Sequence, residues 1–196
     1  MSSQPTTGDS KVEKEQEAAQ VHELWLLRHA KSSWADGSMN DHDRPLNDRG
    51  LREAPAVDQW MRERRISPSA VLCSSARRAT ETANLGLASW IDAGGEVQIR
   101  DQLYLAPPGD LLELAHQTNE SIENLLMIGH NPGLEELASV LARSRVEMKT
   151  ANLFRIRFEG SWSRLSSHSK IVWCEQFSAK HYLKHHLNQS AADQSE

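Results

Sequence analysis

The sequence predicts an α/β domain: a three-layer α-β-α sandwich around a mostly parallel sheet, with antiparallel strand pairing near the C-terminus. Three observations predict it. Short apolar runs alternate with longer helical patterns along the chain. Three of those runs stop abruptly at polar, turn-forming residues. A late run instead alternates apolar residues with arginine and is followed closely by another strand-like segment.

The elements follow in order. His22 to Leu27 (HELWLL) reads as a buried strand. Asn47 precedes a helical pattern in which Leu51, Ala54, Val57, Trp60 and Met61 recur near the helical period. Ala70 to Cys73 is a second strand, and Ser74 or Ser75 is placed to cap a helix running to about Trp90. Asp110 is placed to cap a helix through LLELAHQ, and Leu125 to Ile128 is a third buried strand. Asn131-Pro132 reads as an N-cap followed by proline at the first helical position, opening LEELASVLA. Phe154, Ile156 and Phe158 alternate with Arg155 and Arg157 in a half-exposed strand, which pairs with Lys170 to Phe177 through the connection over 160–169. The polar segments 1–20 and 188–196 read as disordered tails around a single domain over 21–187.

Composition excludes several classes. No apolar run approaches the roughly 20 residues a membrane helix needs, and residues 1–20 lack the apolar core of a secretion signal. Cys73 and Cys174 are too few for a disulfide framework, and Cys73 in its apolar run reads as a buried reduced thiol. A cytoplasmic location follows. The net charge is −5. Lys11 and Lys14 against Asp9, Glu13, Glu15 and Glu17 give −2, and Asp193 and Glu196 give another −2, which leaves the core near −1. Such a core offers no general attraction to nucleic acid, so anion recognition has to come from a local cluster.

That cluster is visible at the strand ends. The first buried strand runs into Arg28-His29, the second into Ser74-Ser75-Ala76-Arg77-Arg78, and the third into Gly129-His130-Asn131. Open α/β sheets bind ligands beyond the carboxyl ends of their strands. Together these segments supply two imidazoles and at least two guanidiniums. Arginine forks match phosphate oxygens and stay charged at any working pH. A neutral imidazole can attack phosphorus and split one difficult step into two. No metal or other cofactor is called for when the cations are borne by the protein. His181, His185 and His186 read as a solvated helix end rather than a metal site, since no third ligand group accompanies them.

LWLLRHAKSSW, DRPLNDRG, CSSARRATETA and MIGHNPGLEELA, in that order over about residues 22–142, resemble the histidine phosphatase superfamily, the phosphoglycerate mutase-like group. The resemblance is closer to its small SixA-like branch, the phosphohistidine phosphatases. It implies that His29 is the phosphorylated nucleophile, that Arg28 and Arg78 bind phosphate, with Arg77 offset by one, and that His130 is the second histidine. Arg44 in DRPLNDRG and Asn131 are further candidates for substrate contact, while Asp48 and Arg49 read equally as a loop before a helix. Ala30 replaces a glycine found in many relatives. Ala35, after the matching Trp34, stands where mutase-like members often carry a phosphate-contacting asparagine.

Mutase-like relatives use a glutamate as general acid, and no residue here sits in a matching motif. Asp101 and Asp43 are the candidates. A missing acid favours phosphohistidine, whose imidazole leaves more readily than an alkoxide. Arg78 and His130 are separated by only 51 residues, too few for the longer insertion of mutase-like relatives, so a shallower site open to a phosphorylated protein is expected. The competing expectations are a broad phosphomonoesterase acting on sugar phosphates or nucleotides and a non-catalytic phosphate-binding module; a mutase is the weakest.

Overall fold

A computed structural model of the protein describes residues 20–193, with side chains through His186. Six strands form one sheet: β1 (Val21–Arg28), β2 (Ala70–Ser74), β3 (Val97–Arg100), β4 (Asn124–Gly129), β5 (Asn152–Glu159) and β6 (Lys170–Ser178). Their spatial order is β3-β2-β4-β1-β5-β6. The first four of these neighbours are parallel, while β5 runs antiparallel to both β1 and β6. Seven helices surround it: α1 (Asp48–Glu53), α2 (Pro55–Arg64), α3 (Arg77–Gly86), α4 (Ala88–Asp92), α5 (Pro108–His116), α6 (Gly133–Ala142) and α7 (Ala179–Asp193).

The strand pleat sends alternate side chains into two separate cores. Trp25 and Leu27 of β1 and Leu126 and Ile128 of β4 join Val57, Trp60, Ala79 and Ala83 on the face covered by α2 and α3. Leu24, Leu26, Leu125 and Met127 join Leu111, Leu134, Leu137 and Leu141 on the face covered by α5 and α6. Apolar content on both faces is what central strands of a three-layer sandwich require. Cys73 lies in the first of these cores, and burial pushes its thiol up to about 12.

Several boundaries differ from those the sequence predicts. Neither Ser74 nor Ser75 is the cap of α3; Ala76 holds that position, and the helix breaks at Leu87 before α4. Pro107, not Asp110, precedes α5, with Asp110 in its first turn. Pro132 follows a cis peptide bond and is itself the N-cap of α6, which starts at Gly133. β5 is more buried than its alternating pattern suggests, because Arg155 turns inward between Trp25 and Trp173 and pairs with Glu23 at 2.7 Å and Glu175 at 2.9 Å. At the C-terminus α7 continues to Asp193, past the domain end expected at 187; residues 1–19 and 194–196 lie outside the described residues. The edge strand β3 escapes the sequence reading because it is mostly exposed and carries two polar residues in four.

Two glycines let backbone segments touch at the sheet's carboxyl end. A Cβ on Gly50 would collide with the Lys31 carbonyl, and one on Gly133 with the Ala106 carbonyl. The obstacle in each case is backbone, which cannot swing aside. Gly133→Ala is therefore expected to destabilise the fold by about 1–3 kcal/mol, read as a fall of several degrees in Tm. An unchanged Tm would show that α6 shifts freely against the 103–106 segment.

Candidate active site

The register of the central strands places the chemistry. Arg28 pairs with Gly129 across β1 and β4, so His29 and His130, each the next residue, emerge side by side. Their ring centroids lie 5.0 Å apart. β2 delivers Ser74 to the same end, and α3 brings Arg78 in its first turn. Thr82, one turn further along α3, accepts from Ala30 N at 2.9 Å and donates to the Arg78 carbonyl at 2.6 Å. That hydroxyl fixes the helix against the segment carrying His29.

The third guanidinium comes from the loop after β1. Ser33 N donates to Pro45 O and Asn47 N to Lys31 O, and Leu46 N is held by Glu81 on α3. This turn carries Arg44 inward to Ser32 Oγ at 3.2 Å and the Ser33 carbonyl at 3.1 Å. Arg28 is anchored from the other side by the Met148 carbonyl at 2.7 Å. The same carbonyl accepts from Asn131 Nδ2, and Met148 N donates to Glu135. Asn131 thus props the strut under Arg28 instead of capping α6. The Nε of Arg28 is buried without a hydrogen-bond partner, a donor in want of an acceptor.

His29 Nδ1 lies 2.7 Å from the Ala30 carbonyl. A carbonyl only accepts, so Nδ1 carries the proton and Nε2 presents its lone pair. Arg78 Nε approaches that Nε2 at 3.3 Å, and Arg78 Nη2 approaches His130 Nδ1 at the same distance. His130 Nε2 turns away to Ser74 Oγ at 2.8 Å. Burial lowers His29 to about 4; the Ala30 bond opposes this, and Arg78, Arg28 and Arg44 reinforce it. Burial, His29 and Arg78 lower His130 to about 3, against the opposing charge of Asp41. Both rings are neutral at ordinary pH. Burial also draws Arg28 below an ordinary guanidinium, with Glu135 opposing.

One carboxylate meets this charge, and the sequence reading missed it. Asp41 Oδ2 accepts from Arg78 Nη2 at 2.9 Å and from Tyr104 OH at 2.8 Å, while Oδ1 meets Arg44 at 2.7 Å. Its main-chain carbonyl also accepts from Arg78. Burial would raise Asp41, but Tyr104, Arg78 and Arg44 outweigh it and hold the carboxyl at about 2. With Asp41 in place the cluster is nearly closed: Arg78 is 2% exposed, His130 3%, Arg44 6% and His29 8%. The open, shallow site expected from chain length is thus covered by the 41–44 turn, because its carboxylate lies across the arginines.

Of the residues the sequence singled out, Arg28, His29, Arg78, His130 and Arg44 converge. Arg77 points outward to Glu81. Asp43 faces His42 at the surface, and Asp101 is exposed at the start of a 3-10 turn; neither carboxylate makes a bond to the cluster. Tyr104, three residues after Asp101, does. Spacing could have found Asp41, three before Arg44 on the same turn, whereas nothing local marks Tyr104.

Residues 24–152 match the model of the histidine phosphatase superfamily, branch 1. The chain is 37% identical over 149 residues to the uncharacterized protein Rv1276c of Mycobacterium tuberculosis, covering 70% of this chain and 90% of that one. Its fold is similar to the protein histidine phosphatase SixA complexed with tungstate, with a TM-score of 0.67 at 20% identity, covering 81% of this chain and 98% of the other. SixA from Nakamurella multipartitia aligns with a TM-score of 0.66 at 22% identity, covering 80% and 96%. No described helix is long and apolar enough to cross a membrane. On the family match and this identity to a relative over most of its length, the chain belongs to the histidine phosphatase superfamily.

Proposed function

We propose that this protein is a phosphatase that passes the phosphoryl group through Nε2 of His29, and that its substrate is protein phosphohistidine. The observation that carries the first part is the Ala30 hydrogen bond, which leaves a neutral, forward-facing lone pair among three guanidiniums. In the first step Nε2 attacks phosphorus while the bond to the leaving group breaks. Arg28, Arg78 and Arg44 offset charge on the equatorial oxygens. His130 stands beside His29, its Nδ1 accepting from Arg78 Nη2 and its Nε2 turned to Ser74, and so helps to hold Arg78 in place. In the second step water attacks phosphorus, the N–P bond breaks, and His29 returns to its neutral form with release of inorganic phosphate.

The second part rests on the proton inventory. Asp41 is the carboxylate that touches the cluster, and held at about 2 it is an anion, unsuited to donate a proton. An alkoxide leaving group needs such a donor, whereas the imidazole of a phosphoramidate leaves after taking a proton from solvent. Glu135, the carboxylate beside Arg28, is occupied by Asn131 and Met148.

Brief incubation with a phosphorylated histidine-phosphotransfer domain, acid-free quenching and mass mapping should place the phosphoryl group on His29. His29→Ala should lower turnover on the order of 10³-fold or more. Rapid turnover of a sugar phosphate beside an inert phosphoprotein would sink the substrate assignment, and a label on another residue the nucleophile.

Neutrality of the two rings has a measurable consequence. NMR titration, with signals assigned from His29→Ala and His130→Ala, should show both rings unprotonated from pH 8 down through the ordinary histidine range near 6.5, with protonation only toward about 4 and about 3. Both folded values are depressed, so the unfolded chain binds more protons in this window. Stability is then complete above about 6.5 and falls as pH drops toward 4. A midpoint near 6.5 for either ring would contradict the buried, arginine-flanked arrangement.

Asp41→Asn removes the charge that competes for the arginines. Inorganic phosphate or tungstate should then bind about tenfold tighter, the scale of one charge-assisted hydrogen bond, measured by calorimetry. Weaker binding would mean that Asp41 positions the arginines instead of competing for them.

A further inference from the structure

Beside the catalytic cluster lies a groove that the reaction does not use. Its first part is a cavity of about 590 Å³ between the 144–150 loop, the adjoining ends of β5 and β6, and the start of α7. Arg49, Arg145, Lys149, Lys180 and His181 line it, against one acidic residue, Glu147. Its second part, about 840 Å³, shares Arg49, Lys180 and His181 and continues past Arg52 and Lys184 to apolar Leu51, Pro55 and Leu183. In a chain of net charge −5 this is a marked local excess of positive charge. Glu53 neutralises Arg49 and Glu147 neutralises Lys149. Arg52, Arg145, Lys180 and Lys184 pair with no carboxylate among the described residues.

The groove is coupled to the active site through the backbone. Lys149 adjoins Met148, whose carbonyl anchors Arg28. Thr150 and Asn152, both lining the cavity, flank Ala151, whose N–H donates to the Arg28 carbonyl at 3.1 Å and the His29 carbonyl at 3.3 Å. Asn152 is buried, and its side-chain oxygen has no hydrogen-bond partner.

We propose that this groove docks an acidic segment of the phosphorylated protein substrate, carboxylates against Arg145 and Lys180 and an apolar side chain against Leu51 and Leu183. The inference rests on the reading of the substrate as a protein. The shape argues for a polypeptide: two joined cavities, cationic at one end and partly apolar at the other, suit an extended amphipathic segment better than a compact ion. Charge complementarity supplies affinity and capture rate, and the backbone shared through Ala151 keeps the groove adjacent to the segment that carries His29.

The test uses a double charge reversal, Arg145→Glu with Lys180→Glu, at positions outside the catalytic cluster. For dephosphorylation of an acidic histidine-phosphotransfer domain, KM should rise about tenfold or more with kcat unchanged. Turnover of free phosphohistidine should stay the same, which also certifies the fold. A fluorescein-labelled peptide of mixed Glu, Asp and Leu should bind wild type and His29→Ala alike at low salt, and the double variant about tenfold more weakly. Because peptide binding needs no catalysis, it separates the two readings. An inert phosphoprotein with intact peptide binding would overturn the substrate assignment. Normal turnover by the double variant, or equal peptide binding, would overturn the groove. Displacement of the peptide by tripolyphosphate at the peptide's own concentration would assign the groove to a small polyanion and overturn the docking proposal.

Discussion

Three guanidiniums meet at the carboxyl end of a parallel sheet, and the rest of the site is arranged around the cost of holding them together. Like charges gathered out of water repel strongly and lose their hydration, and they persist only where acceptors are built around them. Arg28 has the Met148 carbonyl, Arg44 has Ser32 and the Ser33 carbonyl, and Arg78 has the Asp41 carbonyl and carboxylate. The neutrality of His29 and His130 follows first from burial and is reinforced by the neighbouring arginines, which disfavour a further cation. In the proposed reaction, the same buried, arginine-lined setting that would bind a phosphoryl group also keeps His29 in the neutral form a nucleophile needs.

The fold supports this by bringing backbone close to backbone. Parallel pairing of β1 with β4 puts the two histidines abreast, and antiparallel β5 closes the other side, with Ala151 bonded to the carbonyls of Arg28 and His29. Small residues occupy the tight places: Ala30, Ala76 and Ala79 are fully buried, and the glycines at 50 and 133 press against neighbouring carbonyls. Ala30 is tied on both sides, its N–H to Thr82 and its carbonyl to His29. Main-chain contacts thus fix the segments from which the three arginines reach the site.

Much of this was legible in the sequence because its signals are local. Buried strands such as LLMI announce themselves by apolar runs, and abrupt endings at Arg28-His29 and His130 mark the sheet's functional edge. Arg78 over Arg77 was decided by motif position and agrees with burial: Arg78 is enclosed, while Arg77 pairs with Glu81 at the surface. What stayed hidden depends on tertiary contact. Asp41 and Tyr104 are 63 positions apart and meet only because the 41–44 turn and the 101–104 turn fold over the same strand ends. Asp43 and Asp101 were drawn to attention by their neighbourhoods, and in each case a residue two or three positions away makes the contact. The inward turn of Arg155 is hidden for the same reason, since its partners Glu23 and Glu175 lie on the two flanking strands.

In the proposed reaction the placement of Asp41 links stability to turnover. A cradle of three arginines without a counter-charge would be strained toward opening, and a carboxylate from the adjoining turn offsets that repulsion. Under the proposed mechanism the same contact is exchanged when a phosphoryl group enters, so some binding free energy goes into displacing it. In the proposed reaction that exchange also acts on the product. Inorganic phosphate is a small dianion that three guanidiniums would hold tightly, and tight product binding slows release. A carboxylate that returns to Arg78 and Arg44 at 2.7–2.9 Å competes with it directly. A protein substrate is better able than free phosphate to prevail in this competition, because contacts made away from the phosphoryl group can supply the difference. For the reaction proposed, the Asp41 contact thereby favours a large substrate over its small product.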